Sequence, residues 1–288
     1  MKILVTIAHF FDSRGDRFYG STGPNAQQRI HGLTQCVASL HQSLGKAQTK
    51  LVELSRPILT PVTKVQTNDI DVVICTTGGN HLVGQLPVPE AMYEHREVEA
   101  EPMLLGFACH EVLRDRLGEY DYYCYLEDDL AIQDPWFFAK LKWFTDRASD
   151  GALLQPNRFE LSIAEPIRKL YIDGHISVDF ASEWQDIRDR PRLNATVFGV
   201  RVTFERTPNP HSGCFFVNSN QMATWAERPY FLDRDVSFAG QLESAATLGI
   251  MKTFRIYKPA VANAGFLEIL HTNNRYLGHR LKVDPKRG

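Results

Sequence analysis

The run Tyr122-Tyr123-Cys124-Tyr125-Leu126-Glu127-Asp128-Asp129-Leu130 is an apolar, aromatic strand signal that stops in three consecutive acids. A buried strand presents carboxylates at its end only at a cost, unless something positive meets them there. Two adjacent carboxylates suit a hard divalent cation, and Mg²⁺ or Mn²⁺ held this way usually also holds substrate phosphates. A solvated acidic turn explains the triplet taken alone equally well. The flanking residues shift the balance. Asp134 is a good N-cap, Pro135 suits a first helical position, and Phe137, Leu141 and Phe144 recur at helical spacing. Upstream, Pro102 opens an apolar periodic stretch through Leu105, Ala108 and Val112, and Gly118 stands where that helix would stop. The order helix, strand, acids, helix puts the carboxylates at the C-terminal end of a strand, where ligands bind in α/β sheets.

The rest of the first half fits that frame. Residues 2–10 read as a strand, and 24–44 as a helix with Ile30, Leu33, Val37 and Leu40 on one face and Gly45 after it. Residues 50–54 and 71–76 read as further strands. This βαβ rhythm predicts a mainly parallel sheet with helices on both faces. A chain of 288 residues with 43% apolar and 23% charged residues is expected to form one α/β domain over 1–288. Residues at about 150–212, rich in Pro and Arg, are expected to form an irregular loop-and-hairpin insertion. Its spaced Arg188, Arg190 and Arg192 read as a solvated basic loop paired with Asp186 and Asp189, or as a clamp for an acceptor's anionic group.

Several classes are excluded. No GxGxxG turn follows the first strand and no GxxxxGK[ST] occurs, which removes dinucleotide and P-loop sites. A net charge of -2 leaves no basic footprint for nucleic acid. Five cysteines without a CxxC pair read as reduced core thiols. The stretch after Met1 is too short for a secretory apolar region and nothing approaches a membrane span, so a cytoplasmic location is expected.

A strand ending in Leu-Glu-Asp-Asp-Leu, followed by Asp-Pro-x-Phe-Phe and a helix, resembles the metal motif of GT-A-type glycosyltransferases, in its Glu-Asp-Asp form. The close match covers roughly residues 120–144, with weaker echoes toward the C-terminus. The resemblance implies a Rossmann-like GT-A domain with a nucleotide-binding half over 1–130. An acceptor-side half follows over 131–288, with a smaller antiparallel or loop-rich region. It also implies Mn²⁺ or Mg²⁺ as cofactor and a nucleotide-diphosphate sugar as donor. The acceptor would be a small molecule, a glycan or a lipid-linked group; a lipid-linked one would place the protein in peripheral contact with the inner membrane face.

Residue by residue, Asp129 becomes the metal ligand, and Asp128 reaches the donor ribose or a metal-bound water. Glu127 touches the sugar or holds the loop. His271, at the end of another apolar run, completes the metal shell; a histidine that merely caps a strand is the competing reading. Ser212 and Gly213, small residues before a strand, let backbone pass close to the donor sugar. An inverting transfer needs a carboxylate base, for which Asp235 leads, followed by Asp233 and Glu243; a cap for the following helix, ending at Gly249, is the alternative. His9 and Phe10 meet the nucleotide, with Asp12, Arg14 and Asp16 beyond them, and Arg96 meets the diphosphate. Two rivals stay open. One is a nucleotidyltransferase of the same architecture, for which Arg14-Gly15-Asp16-Arg17 is a poor loop. The other is a non-catalytic carbohydrate- or nucleotide-binding protein.

Overall fold

A computed structural model describes residues 1–15, 21–46, 49–62, 68–163, 167–177, 179 and 181–277. Asp16 and Arg17 lie outside the described residues. The elements in chain order begin with β1 (Lys2–Ala8), α1 (Ala26–Leu44), β2 (Lys50–Glu53), β3 (Ile58–Pro61), β4 (Asp69–Thr76) and β5 (Glu94–Glu97). Next come α2 (Leu105–Asp115), β6 (Tyr122–Glu127), β7 (Leu130–Ala131), α3 (Phe137–Ala148), β8 (Ala152–Leu154) and β9 (Asn157–Leu161). The chain continues through β10 (Lys169–Tyr171), β11 (Arg192–Val197), β12 (Val200–Glu205), β13 (Cys214–Asn218) and α4 (Ser219–Ala226). It closes with α5 (Gln241–Thr253), β14 (Arg255–Pro259) and β15 (Glu268–His271).

The central sheet runs β13-β6-β1-β4-β5, with β6, β1, β4 and β5 parallel and β13 antiparallel. Side chains alternate across a strand, so β1 feeds both faces. Ile3, Val5 and Ile7 pack with Leu33, Val37 and Leu40 of α1, while Leu4 packs with Leu105 and Val112 of α2. The protein is therefore α/β, with a parallel-rich sheet covered on both sides. After β1 the chain moves out to β4 and β5, then returns to place β6 on the other side of β1. The C-terminal ends of β1 and β6 thus meet at a topological switch point, where open α/β sheets form a crevice.

Several local expectations change. The 50–54 strand is present as β2, but it pairs only with β3 in an exposed hairpin outside the main sheet. The helix after the acids starts at Phe137; Asp134 instead accepts from the Trp136 N–H and pairs with Lys140, closing the turn before it. Gly249 does not stop α5, which runs on to Thr253. A Cβ there would lie 2.7 Å from the Trp225 ring, so the glycine serves helix packing. Gly240, not Asp233 or Asp235, sits at the N-cap of α5.

The 150–212 region is also more regular than its composition suggests. It contributes β8 and β9 to two further sheets, ordered β11-β12-β14-β8 and β10-β9-β15-β7, and a β11–β12 hairpin. Its arginines make local pairs: Arg188 with Asp186, and Arg192 with Glu205. Asp189 pairs with Arg255. All five cysteines are free and buried, as expected. Among the described residues no helix is long and apolar enough to cross a membrane.

Candidate active site

The β1–β6 register sets Ala8 beside Glu127, which brings His9 level with Asp128. His9 is fully buried. Its Nε2 accepts the Leu82 N–H at 3.1 Å, so Nδ1 carries the proton and donates to Asp128 Oδ2 at 2.5 Å. The Arg29 guanidinium bonds both oxygens of the same carboxylate. Arg29 reaches it because α1 passes close by: a Cβ on Gly32 would lie 3.5 Å from the Asp129 Cβ. Residues 29 and 32 share one helix face at i, i+3 spacing. Both Asp128 oxygens are thereby engaged by protein.

Asp129 faces another set of partners. β15 pairs antiparallel with β7, and Thr272 donates its N–H to the Asp129 carbonyl at 2.9 Å. This ladder delivers His271, whose Nε2 lies 3.5 Å from Asp129 Oδ2. Asn273 Nδ2 donates to the same oxygen at 2.8 Å. On the far side of the ring, His271 Nδ1 donates to Glu160 Oε1 at 2.8 Å, and Glu160 is fully buried on β9. Burial alone would lower the His271 pKa, but Asp129 and then Glu160 raise it to about 9. Burial alone would raise that of Asp129; His271, Arg29 and Asn273 hold it well below the usual carboxylate range.

Glu127 is the most accessible acid of the three, its side chain 24% exposed. Burial raises its pKa, Arg158 opposes this, and Asp129 and Glu243 add to it, leaving it near 7. Arg158 Nη1 stands 3.8 Å from Glu127 Oε2, while its Nε donates to Asp173 Oδ1 at 2.8 Å. Gly213 adopts φ +63°, and its carbonyl accepts the Glu127 N–H at 2.9 Å. A Cβ there would meet Glu127 Oε2 and force the carboxylate to shift, and φ +63° is a backbone conformation L side chains rarely adopt, so glycine is favoured on both counts. Ser212 is fully buried with its hydroxyl bound to the Pro156 carbonyl at 2.8 Å.

Glu127, Asp128, Asp129, His271, Gly213 and His9 thus converge at the ends of β1 and β6. Phe10, half-buried, packs in the core beneath α2. Glu243, in the first turn of α5, is close enough for its charge to act on Glu127. Other residues lie elsewhere. Asp235 pairs with Lys252 at 2.6 Å, and Asp233 lies 3.8 Å from the same ammonium, at the opposite end of α5 from Glu243. The Lys252 hydrogen bond and then Ser237 lower the Asp235 pKa to about 2. Arg96 sits on the sheet's edge strand, 3.5 Å from Asp115.

Sequence reasoning passed over Arg29, Arg158, Glu160 and Asn273. Arg29 had a readable signal, since it shares the apolar stripe of α1 with Leu33 and Val37 at four-residue spacing. Arg158 and Glu160 alternate on one face of a short strand, a weak pattern without their partners.

For a divalent ion, Asp129 would supply an oxygen and His271 an imidazole nitrogen. With Glu160 holding Nδ1–H, loss of the Nε2 proton would leave that nitrogen's lone pair beside Asp129, the arrangement of carboxylate–histidine pairs at metal centres. Among the described residues no group of three or more His, Cys, Asp and Glu side chains forms a metal cage. Two ligands would be this pair's whole share of a metal shell, and its mixed oxygen–nitrogen character would suit Mn²⁺ better than Mg²⁺.

No family model matches the chain, and no curated protein does. Among solved structures, GalNAc-T7 with UDP, GalNAc and Mn²⁺ is similar at 10% identity and TM-score 0.48, over 94% of this chain and 43% of that one. S. aureus TarS with UDP is similar at 11% identity and TM-score 0.44, over 90% and 57%. CMP:2-keto-3-deoxy-manno-octonic acid synthetase with CTP is similar at 14% identity and TM-score 0.37, over 90% of each chain. The chain thus spans about half the length of the TarS and GalNAc-T7 structures, and likenesses this slight fix neither substrate nor reaction.

Proposed function

We propose that this protein is a metal-assisted glycosyltransferase of GT-A type, moving a sugar from a nucleotide-diphosphate donor to an acceptor hydroxyl. The observation that carries the reading is the meeting of Asp129 with His271, at the switch point of a parallel sheet and backed by Glu160.

In this reading Asp129 and His271 hold a divalent ion, which when bound offsets the negative charge of the leaving diphosphate. Asp128 does not touch the donor. It is clamped by Arg29 and His9 and fixes the loop that carries Asp129. Glu127, packed directly against Gly213, faces the sugar. The acceptor oxygen forms its bond to the sugar's anomeric carbon as the bond from that carbon to the diphosphate oxygen breaks. The acceptor proton passes to a carboxylate. Glu243, in the first turn of α5, takes that role in preference to Asp233 or Asp235, which stand 3.8 and 2.6 Å from the Lys252 ammonium at the other end of that helix. An inverting outcome follows from a base of this kind.

The test is melting temperature against UDP, GDP, CDP and their sugar conjugates, with and without Mn²⁺, for wild type and Asp129→Asn. A ligand at one hundred times its dissociation constant stabilises by about 2.7 kcal/mol. A Mn²⁺-dependent shift with one nucleotide class, lost in Asp129→Asn, supports the reading. No shift with any nucleotide, or one indifferent to Asp129, refutes it.

A further inference from the structure

A second cavity, of about 250 Å³, adjoins the candidate site, walled by Tyr171, Asp173, Thr207, Lys258, Pro259 and Ala264 among others. Arg158 connects the two, with one nitrogen 3.8 Å from Glu127 and another bonded to Asp173 at 2.8 Å. The ionic groups here are deeply placed: Lys258 is 3% exposed and the Asp173 side chain 2%. Charges are buried at this depth only when paired and fully hydrogen-bonded. Asp173 meets that condition, accepting from the Arg158 side chain, the Arg158 N–H and Lys258.

Lys258 does not. Its ammonium has three donors. One goes to Asp173 Oδ2 at 2.9 Å and one to the His211 carbonyl at 2.5 Å. Among the described residues nothing takes the third, and Lys258 lines the cavity. A buried donor left over at a cavity wall asks for an acceptor from a ligand.

Three properties narrow that ligand. The volume lies below the roughly 300–1,000 Å³ of pockets for drug-sized molecules, so a single ring fits. The charged groups here already have ion partners, since Arg158 and Lys258 share Asp173, and Glu205 at the wall pairs with Arg192 at 2.8 Å. The cavity therefore presents no unpaired cation to an anion. Finally, the lining mixes apolar Pro259, Ala260, Val261 and Ala264 with polar Thr207, Asp173 and Lys258. A ring with one apolar face and several hydroxyls meets all three conditions.

We propose that this cavity binds one neutral sugar ring, with a sugar oxygen accepting the remaining Lys258 N–H. Its assignment to the saccharide acceptor, one subsite away from the transferred sugar, rests on the glycosyltransferase reading; the binding itself does not.

The experiment is saturation-transfer-difference NMR on the full chain with glucose, galactose, N-acetylglucosamine and lactose as probes. Glucuronate and glucose 6-phosphate serve as anionic comparators. Ala264→Trp fills the cavity from the wall without touching the ionic network, and Lys258→Met removes the donor; a fold failure in one variant leaves the other to decide. The expected result is transfer from at least one neutral sugar, weakened tenfold or more in the folded variants, with nucleotide-induced melting shifts unchanged in Ala264→Trp. Silence from every neutral sugar, a tenfold preference for the anionic comparators, or binding indifferent to both variants overturns the proposal. Sugar binding without any nucleotide-induced shift keeps the cavity and removes the transferase reading. A nucleotide shift without sugar binding does the reverse.

Discussion

Replacing Gly213 by alanine probes the contact that shapes the acid cluster. Two separate costs are expected. At φ +63° an L-residue occupies the left-handed region, which costs about 1–2 kcal/mol. The new methyl also runs into Glu127 Oε2, with Glu127 Cδ at 2.9 Å and Leu130 Cδ1 at 3.3 Å. Glu127 must move its carboxylate to relieve that clash, and overpacking of this kind costs about 1–3 kcal/mol. The total is about 2–5 kcal/mol, read from the midpoint and slope of urea unfolding. Gly79→Ala is the control. Gly79 has φ +67° and open space where its Cβ would stand, so only the backbone cost of about 1–2 kcal/mol remains. In a double-mutant cycle, Glu127→Ala opens the space and should recover the steric share, a coupling of about 1–3 kcal/mol. If Gly213→Ala costs no more than Gly79→Ala, or the cycle shows no coupling, the close packing of backbone against Glu127 is refuted.

Three other outcomes follow from the same geometry. Asp128→Ala leaves Arg29 buried without its main partner and should cost about 3–5 kcal/mol, with much of the loss recovered by adding Arg29→Met, both by chemical denaturation. Asp235→Asn should cost about 1 kcal/mol at neutral pH, discounted from the pKa shift because the side chain is 32% exposed. Since that pKa is depressed, the stabilisation is complete above the usual 3.8 and disappears as pH falls through about 2, so wild type and variant should converge in acid. Binding of Mn²⁺ with a nucleotide diphosphate should tighten as pH rises toward about 9, because His271 must release its Nε2 proton to become a ligand; calorimetry showing a flat profile from pH 6 to 9 would remove His271 from the metal site.

Local pattern alone carried much of the architecture. The strand-like apolar stretch in residues 2–10, helical spacing over 24–44 and the acid-ended run at 122–129 identified the strands and helix that build the crevice. Those signals are short-range: an apolar strand with acids at its tip can be satisfied in few places other than the ligand end of a parallel sheet. The resemblance to GT-A-type glycosyltransferases pointed to Gly213 and His271 as residues of interest, beside apolar runs that alone fit a plain turn and a strand cap equally well. Pairing was another matter. That β2 leaves the main sheet, that β15 runs antiparallel to β7 and sets His271 against Asp129, and that α1 approaches closely enough for Arg29 to clamp Asp128 depend on which distant segments bury one another. The choice between Glu243 and Asp235 has the same origin. Both are carboxylates near one helix, and only the fold ties Asp235 to Lys252 while leaving Glu243 in the helix's first turn at the other end. Sequence periodicity reports which face of an element is apolar, whereas ion partners far along the chain are selected by the packing of those faces, and so only the tertiary structure decided them.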